Sequence, residues 1–490
     1  MLNYNVKIGL VPMRRDCTPR PGAFNWEIAE ARGREIVAYI EEHYATENVT
    51  FADLKGVIPV ETFYAESDVE KVAAHMRAEK VDALLMINAN FGCEEAAALL
   101  AQEMNVPVML WAPLDERFDA DGMRYTDSQC GIFGISRQMQ RYNIPFTFLN
   151  SCRVSEQKFA EGLDRFARVA CMVKNFRGMR VGQVGMRPKI FCSVIFNEGE
   201  LMQRFGLHIV PINNALVAKK FNKILQERNA ELVEGEKLFL ERYDVDDFTK
   251  PLLKRIYAFV LLFKELFEEY NLDAISSECW TSMEMACGVL PCSAYGFLLD
   301  EGYLVSCESD MHAAITMALL SCASFGKNPP FMGEFTVRHP QDENVELLWH
   351  CGPFPYSLHR EGKKPVEYIQ RQWFEAKHSK YTVARFDQDD GKYMILNGTC
   401  ESADGPFTNG TYVWGRFNDL DKWERRLIEG PYIHHMVEIE GDYTKEIEEF
   451  CKFVPHLKPD SMNLGEKKNG NESQTDSGAG RRKGRGHSRL

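Results

Sequence analysis

The chain reads as an α/β protein: two consecutive Rossmann-like parallel-sheet domains followed by an antiparallel, barrel-like β domain. Three observations predict this. In the first 170 residues short apolar runs alternate with amphipathic helical stretches, the pattern of a parallel sheet covered by helices. The alternation restarts after about Phe166. Beyond about residue 335 come short runs rich in Thr, Val, Tyr and Trp, split by Gly, Asn and Asp turns. At 490 residues the chain exceeds what one core holds, so several domains are expected.

The elements follow in order. "VKIGLVPM" (6–13) reads as a buried strand, and a helix runs from about Asn25 through "EIAEARGREIVAYIEEHY". "DALLMINA" and "VPVMLWAP" are further strands around the helix "EEAAALLAQEM". In the second unit, roughly 167–335, "RVGQVG", "LHIVPI", "DAISSE" and "GYLVSCE" (302–308) punctuate a long helix over 251–270. "RGMRVGQVG" is glycine-rich, but its GxxxGxxG spacing departs from the dinucleotide fingerprint, so its glycines read as turn residues. The third unit, 336–458, carries "VELLWH", "YTVARF", "KYMILNGTC" and "TYVWGRF" as strands, with one helix expected around 365–377. The basic, Gly/Ser-rich segment 459–490 reads as a disordered tail.

Hydrophobic content of 45% and charged content of 26% are those of a soluble globular protein. A net charge of −13 argues against non-specific binding to nucleic acid or an anionic membrane. It favours a neutral or cationic ligand, or an anion held by a local charge. The 14 cysteines are scattered and form no CxxC pair, which fits free thiols in a reducing, cytoplasmic setting. No apolar stretch reaches the roughly 20 residues of a membrane span.

Four places can carry chemistry. In "SCESDMHAAITMALL", Glu308 ends an apolar strand where ligands of open α/β sheets bind, and Asp310 is placed to cap the next helix. A carboxylate at the tip of a buried strand is costly unless paired, protonated or bound to metal. In "PPFMGEF", Glu334 follows a Pro-Pro turn; His350 ends the apolar strand "VELLW". In "IHHM", His434 and His435 are adjacent, and strand alternation sends them to opposite faces, so only one is expected to reach a buried site. Carboxylate oxygens with imidazole nitrogens suit a divalent ion of intermediate hardness, Mn²⁺ first, with Co²⁺, Fe²⁺ or Mg²⁺ as alternatives. Zinc is disfavoured because neither thiolate pairs nor a HExxH helix is present.

In order and spacing, "CESD", "FMGEF", "LWHC" and "IHHM" resemble the L-fucose isomerase and L-arabinose isomerase superfamily of metal-dependent aldose–ketose isomerases. The resemblance covers about residues 5–456. It implies Glu308, Glu334, His350 and one of His434 or His435 as metal ligands, with Glu308 and Glu334 as the catalytic pair. The intervals of 26 and 16 residues along Glu308, Glu334 and His350 are close to the family pattern, and the 84 residues to His434 are fewer. Gly333 is an insertion, and Trp349 replaces a small residue. The resemblance further implies a homotrimer or homohexamer whose N-terminal domain closes a neighbour's site.

Arg14, Arg15 and Arg20 crowd the first strand–loop, "VPMRRDCTPRPG". Arg14 and Arg20 are candidates to grip sugar hydroxyls or an anionic substituent, as is Asp310 for the substrate. Trp280 and Phe354 are candidates to stack on a sugar ring, with core packing the default for both. The expected reaction interconverts a free aldose, neutral or anionic, and its 2-ketose through a cis-enediol. A non-catalytic sugar-binding protein of the same fold, or a metal-dependent hydrolase or lyase, are the alternatives.

Overall fold

The structure is a computed structural model that describes residues 1–17, 24–115, 118 and 122–463. The N-terminal parallel sheet has the order β2-β1-β3-β4-β5. Its strands are β1 (Val6–Met13), β2 (Val49–Ala52), β3 (Ala83–Asn88), β4 (Val108–Pro113) and β5 (Thr147–Cys152). β1, β3 and β4 are near-continuous apolar runs because helices cover both faces. Asn25 caps the first long helix, Trp26–Tyr44, by accepting the Ile28 N–H.

The second sheet is also parallel, in the order β10-β9-β6-β7. It comprises β6 (Arg180–Val184), β7 (His208–Ile212), β9 (Ala274–Ser277) and β10 (Val305–Ser306), while β8 (Asp244–Val245) pairs with the C-terminal domain. Only Val305 and Ser306 of the expected strand 302–308 pair; Cys307 onward turns away.

The C-terminal strands are β11 (Phe331–Arg338), β12 (Val345–His350), β13 (Val366–Tyr368), β14 (Arg371–Glu375), β15 (Lys380–Asp389), β16 (Lys392–Ala403), β17 (Thr411–Arg416), β18 (His435–Glu440) and β19 (Leu457–Ser461). The run β16-β15-β18-β11-β12-β17 closes on itself through β17–β16 pairing, giving an antiparallel barrel flanked by extra strands.

The helix expected around 365–377 is instead the hairpin β13–β14. Its tip residues, Ile369 and Gln370, take positive φ of 50° and 63°, matching a tight turn between strands. The period of two was hidden because buried Glu367 and Gln372 face each other there, polar where apolar residues are normal. Helices Leu420–Glu429, capped by Asp419, and Thr444–Phe453 were not anticipated. Elements also run across the expected boundaries: helix Gln157–Phe176 passes 166, β11 passes 335 and β19 passes 458. Beyond Asn463 the expected tail lies outside the described residues.

Candidate active site

The site forms where the carboxyl end of the central sheet meets the barrel. After β10, Glu308 and Ser309 both adopt left-handed φ, 61° and 56°. Such backbone costs on the order of 1–2 kcal/mol per non-glycine residue and is expected only where surrounding bonds impose it. Here Ser309 N–H donates to Ser277 O at 3.0 Å and Asp310 N–H to Cys307 O at 3.1 Å. The turn lifts the Glu308 carboxylate toward the barrel strands β18, β11 and β12.

Register does the rest. On these strands Glu334 lies opposite His435 on one side and Trp349 on the other, with His350 next along. His435 Nε2 is 3.2 Å from Glu308 Oε2 and 3.9 Å from Glu334 Oε1, and His350 Nε2 is 3.6 Å from Glu334 Oε1. One ligand atom from each of Glu308, Glu334 and His350 falls within a span of 4.8 Å, as do those of Glu334, His434 and His435. Glu308 Oε2, His350 Nε2 and His435 Nε2 are buried, and although the first and last lie close, none has a hydrogen-bond partner.

Buried polar atoms are normally satisfied, so three unpartnered ones converging on one point mark a binding site. Donors about 2.1 Å from a shared ion stand roughly 3–4 Å apart, the separations found here. The residues therefore fit a divalent cation.

The two imidazoles differ. His435 Nδ1 donates to Asp310 Oδ2 at 2.9 Å, so in the neutral ring Nε2 is bare and aimed at the carboxylates. His350 Nδ1 accepts the Cys351 N–H at 2.9 Å, with Cys351 Sγ 3.3 Å away. That places the proton of a neutral ring on Nε2. His350, expected to complete a metal shell, is thus set as a donor toward Glu334 and ligates only if Nδ1 takes the proton. His434 precedes β18 and is exposed at the rim while His435 is buried, yet a ligand atom of each lies within 4.8 Å of a Glu334 oxygen.

Electrostatics separate the groups further. Burial drives the Glu308 carboxyl up, but His435 and His350 outweigh it and hold it below the ordinary glutamate value. Glu334 is pushed up to about 7 by burial, opposed by His435 and reinforced by the Glu308 charge. Burial lowers His350 to about 4; for His435 burial is overcome by Asp310 and Glu308, which raise it to about 9. A divalent ion between the carboxylates would favour the charged form of both, adding to the depression at Glu308 and opposing the rise at Glu334.

The other expected residues divide. Asp310 is 1% exposed; it caps helix Met311–Ala323 through the Ala313 N–H and pairs with Arg385 and His435. It lies behind the site rather than facing a ligand. Arg14 is 3% exposed, bonded to Glu30 at 2.8 Å and stacked on Trp26 and Tyr64, so its charge serves its own domain. Arg20 lies outside the described residues. Phe354 is core, its ring 4.3 Å from Phe331. Trp280 is half-buried, 5.5 Å from Phe191, whose ring lies 6.5 Å from His435. Phe191 was missed, since a lone aromatic after "RPKI" carries no periodic or motif signal.

A cleft of about 620 Å³ opens at the carboxyl ends of β6 and β7, lined by Gly185, Met186, Arg187, Lys189 and Glu278 among others. Burial pushes the Glu278 carboxyl up, but bonds donated by Ser282, Thr281 and Asn214 outweigh it and hold it below the ordinary glutamate value, so it stays anionic.

Residues 9–177 match the family model of the fucose/sulfoquinovose isomerase N-terminal domain. A sulfoquinovose isomerase of Alkalicoccus urumqiensis is 26% identical over 438 residues, covering 87% of this chain and 94% of that protein. That of Priestia aryabhattai is 22% identical over 443 residues, covering 88% and 95%. One from Clostridium sp. (strain MSTE9) is 23% identical over 282 residues, covering 56% and 61%. A periplasmic solute binding protein from Actinobacillus succinogenes 130z with bound D-allose is 12% identical, covering 65% of this chain and 92% of that one, at a TM-score of 0.15, which supports no comparison of folds. The chain is thus similar to the fucose/sulfoquinovose isomerase family in its N-terminal domain and to sulfoquinovose isomerases along most of its length.

Proposed function

We propose that this protein is a divalent-metal-dependent aldose–ketose isomerase acting on an anionic sugar of the sulfoquinovose class, with Mn²⁺ the first choice of ion. The observation that carries the reading is that buried, unpartnered His435 Nε2 lies 3.2 Å from the equally unpartnered Glu308 Oε2 and 3.9 Å from Glu334 Oε1. Glu308, Glu334 and His435 would hold the ion. Once bound, it supplies Lewis-acid polarisation of the sugar carbonyl and a template for neighbouring oxygens.

The chain's own groups perform the proton movements. Two carboxylates whose surroundings push their pKa values apart divide the acid and base roles. Glu308, held ionised, stays a fixed anion, whereas Glu334, with a side chain 18% exposed, faces the open side and takes the C2 proton to return it at C1. His350 Nε2–H donates to a sugar oxygen and carries the hydroxyl proton from O2 to O1 across the cis-enediol. Trp280 and Phe191 offer apolar faces to the sugar.

The charged end of the sugar needs a cation in a chain of net charge −13. Arg187 and Lys189, on the loop that leads to Phe191, supply it in the cleft beside Glu278. The names of the relatives support a sulfonated substrate. Assembly into a trimer or hexamer belongs to the same reading. No helix among the described residues is long and apolar enough to cross a membrane.

The test is an NMR assay of sulfoquinovose and of neutral aldoses with metal-stripped and Mn²⁺-loaded protein. Conversion of the sulfonated aldose to its ketose only when metal is present is expected. Release of a fragment, or no turnover under any metal, would overturn the proposal.

A further inference from the structure

A line of buried charge runs behind the metal-binding candidates, and the reaction outlined above leaves it unused. His312 Nδ1 meets Asp387 Oδ1 at 3.0 Å, and Asp387 Oδ2 accepts from Arg385 Nε at 2.6 Å. Arg385 Nη1 donates to Asp310 Oδ2 at 2.8 Å and to the His435 carbonyl at 3.1 Å, with Nη2 at 3.4 Å from Asp310 Oδ1. Asp310 Oδ2 then accepts from His435 Nδ1. Arg385, Asp310 and His435 are 0–1% exposed, His312 3% and Asp387 6%.

The groups come from different parts of the fold. Asp310 and His312 open the central-domain helix Met311–Ala323, Arg385 and Asp387 sit on β15, and His435 starts β18. A guanidinium sealed from water between two carboxylates is far more than helix capping requires, because Asp310 already satisfies the Ala313 N–H without it. Removing two anions and a cation from water is costly, and such a set persists where a defined geometry depends on it. What depends on this one is His435. Arg385 holds both Asp310 oxygens and the His435 carbonyl, so it fixes ring and backbone of one residue together.

We propose that Arg385, braced by Asp387 and His312, is the positioning residue of the metal centre. It keeps the Asp310 carboxylate on His435 Nδ1, and so keeps the proton there and the bare Nε2 aimed between Glu308 and Glu334. A lysine cannot reproduce the fork that grips Asp310, Asp387 and a carbonyl at once. Partners behind a ligating histidine are typically worth about 10- to 100-fold in metal affinity. This rests on the reading that Glu308, Glu334 and His435 bind a divalent ion.

The experiment is titration of Mn²⁺ alone, followed by electron paramagnetic resonance, into full-length wild type, R385K and D387N. The ¹⁵N shifts of His435 in the metal-free proteins are recorded alongside above pH 9, where its ring is neutral. F176L, a core substitution at a residue 1% exposed, controls for a mere loss of stability. The expected result is about 10- to 100-fold weaker Mn²⁺ binding in R385K and a smaller loss in D387N, with His435 leaving its Nδ1–H form, while F176L binds as wild type does. If R385K fails to fold, D387N carries the same decision. Affinities within twofold of wild type with an unchanged His435 signature would overturn the proposal. Absence of Mn²⁺ binding in the wild type would instead overturn the metal reading on which it stands.

Discussion

Glu367 offers a quantitative test of how burial governs this molecule. It lies on β13, fully buried, where both carboxyl oxygens accept the Ser293 hydroxyl, at 2.8 and 2.7 Å. Burial raises its pKa from 4.5 to about 8, Ser293 opposes this, and the charges of Cys292 and Asp246 add to it. An acid whose folded pKa lies above its unfolded value binds its proton more tightly in the folded state. Its stabilising contribution is complete below pH 4.5 and is lost as pH rises to about 8. A rise of about 3.5 units at 1.36 kcal/mol each corresponds to on the order of 4–5 kcal/mol across that window.

Glu367→Gln keeps an acceptor for Ser293 and removes the titration. Thermal midpoints of wild type and variant, read by circular dichroism at pH 5 and pH 8.5, measure the difference. The variant should be equal to or slightly below wild type at pH 5 and more stable by several degrees at pH 8.5. A difference independent of pH would refute the reasoning.

The other outcomes concern the site. His435→Gln should cost at least about tenfold in Mn²⁺ affinity, while His350→Gln should leave affinity within a few-fold and lower kcat by about 10²- to 10⁴-fold, as calorimetry and steady-state assays would show. Gly333→Ala places a Cβ 2.9 Å from Glu438 Oε2, next to Glu334, and should cost about 1–3 kcal/mol in urea denaturation. Phe354→Ala should destabilise by about 3–5 kcal/mol with KM unchanged, whereas Trp280→Ala should raise KM with little change in the thermal midpoint. Arg187→Met should raise KM for a sulfonated aldose by about tenfold or more, since an ionic hydrogen bond contributes roughly 1.5–3 kcal/mol.

The parts legible in the sequence were those that follow a regular period. β1, β3 and β4 are unbroken apolar runs, and the restart near Phe166 marks the second sheet. The hairpin β13–β14 escaped because Glu367 and Gln372 occupy its buried face, so hydrophobicity did not alternate where the backbone did. Glu308 could be singled out because a carboxylate at the end of a buried strand has few structural excuses, whereas Glu334, in the middle of β11, was marked only by the order of the motifs. That His435 is buried and His434 exposed needed the point at which β18 begins. The cap role of Asp310 was legible, but not its pairing with Arg385, 75 residues distant in the chain, nor which ring nitrogen of His350 meets Cys351.

The most direct measurement is an anomalous-scattering map from crystals grown with Mn²⁺. One peak bonded to Glu308, Glu334 and His435 Nε2 is predicted, with His350 facing it. A peak held by other residues, or none at full Mn²⁺ loading, would contradict the account.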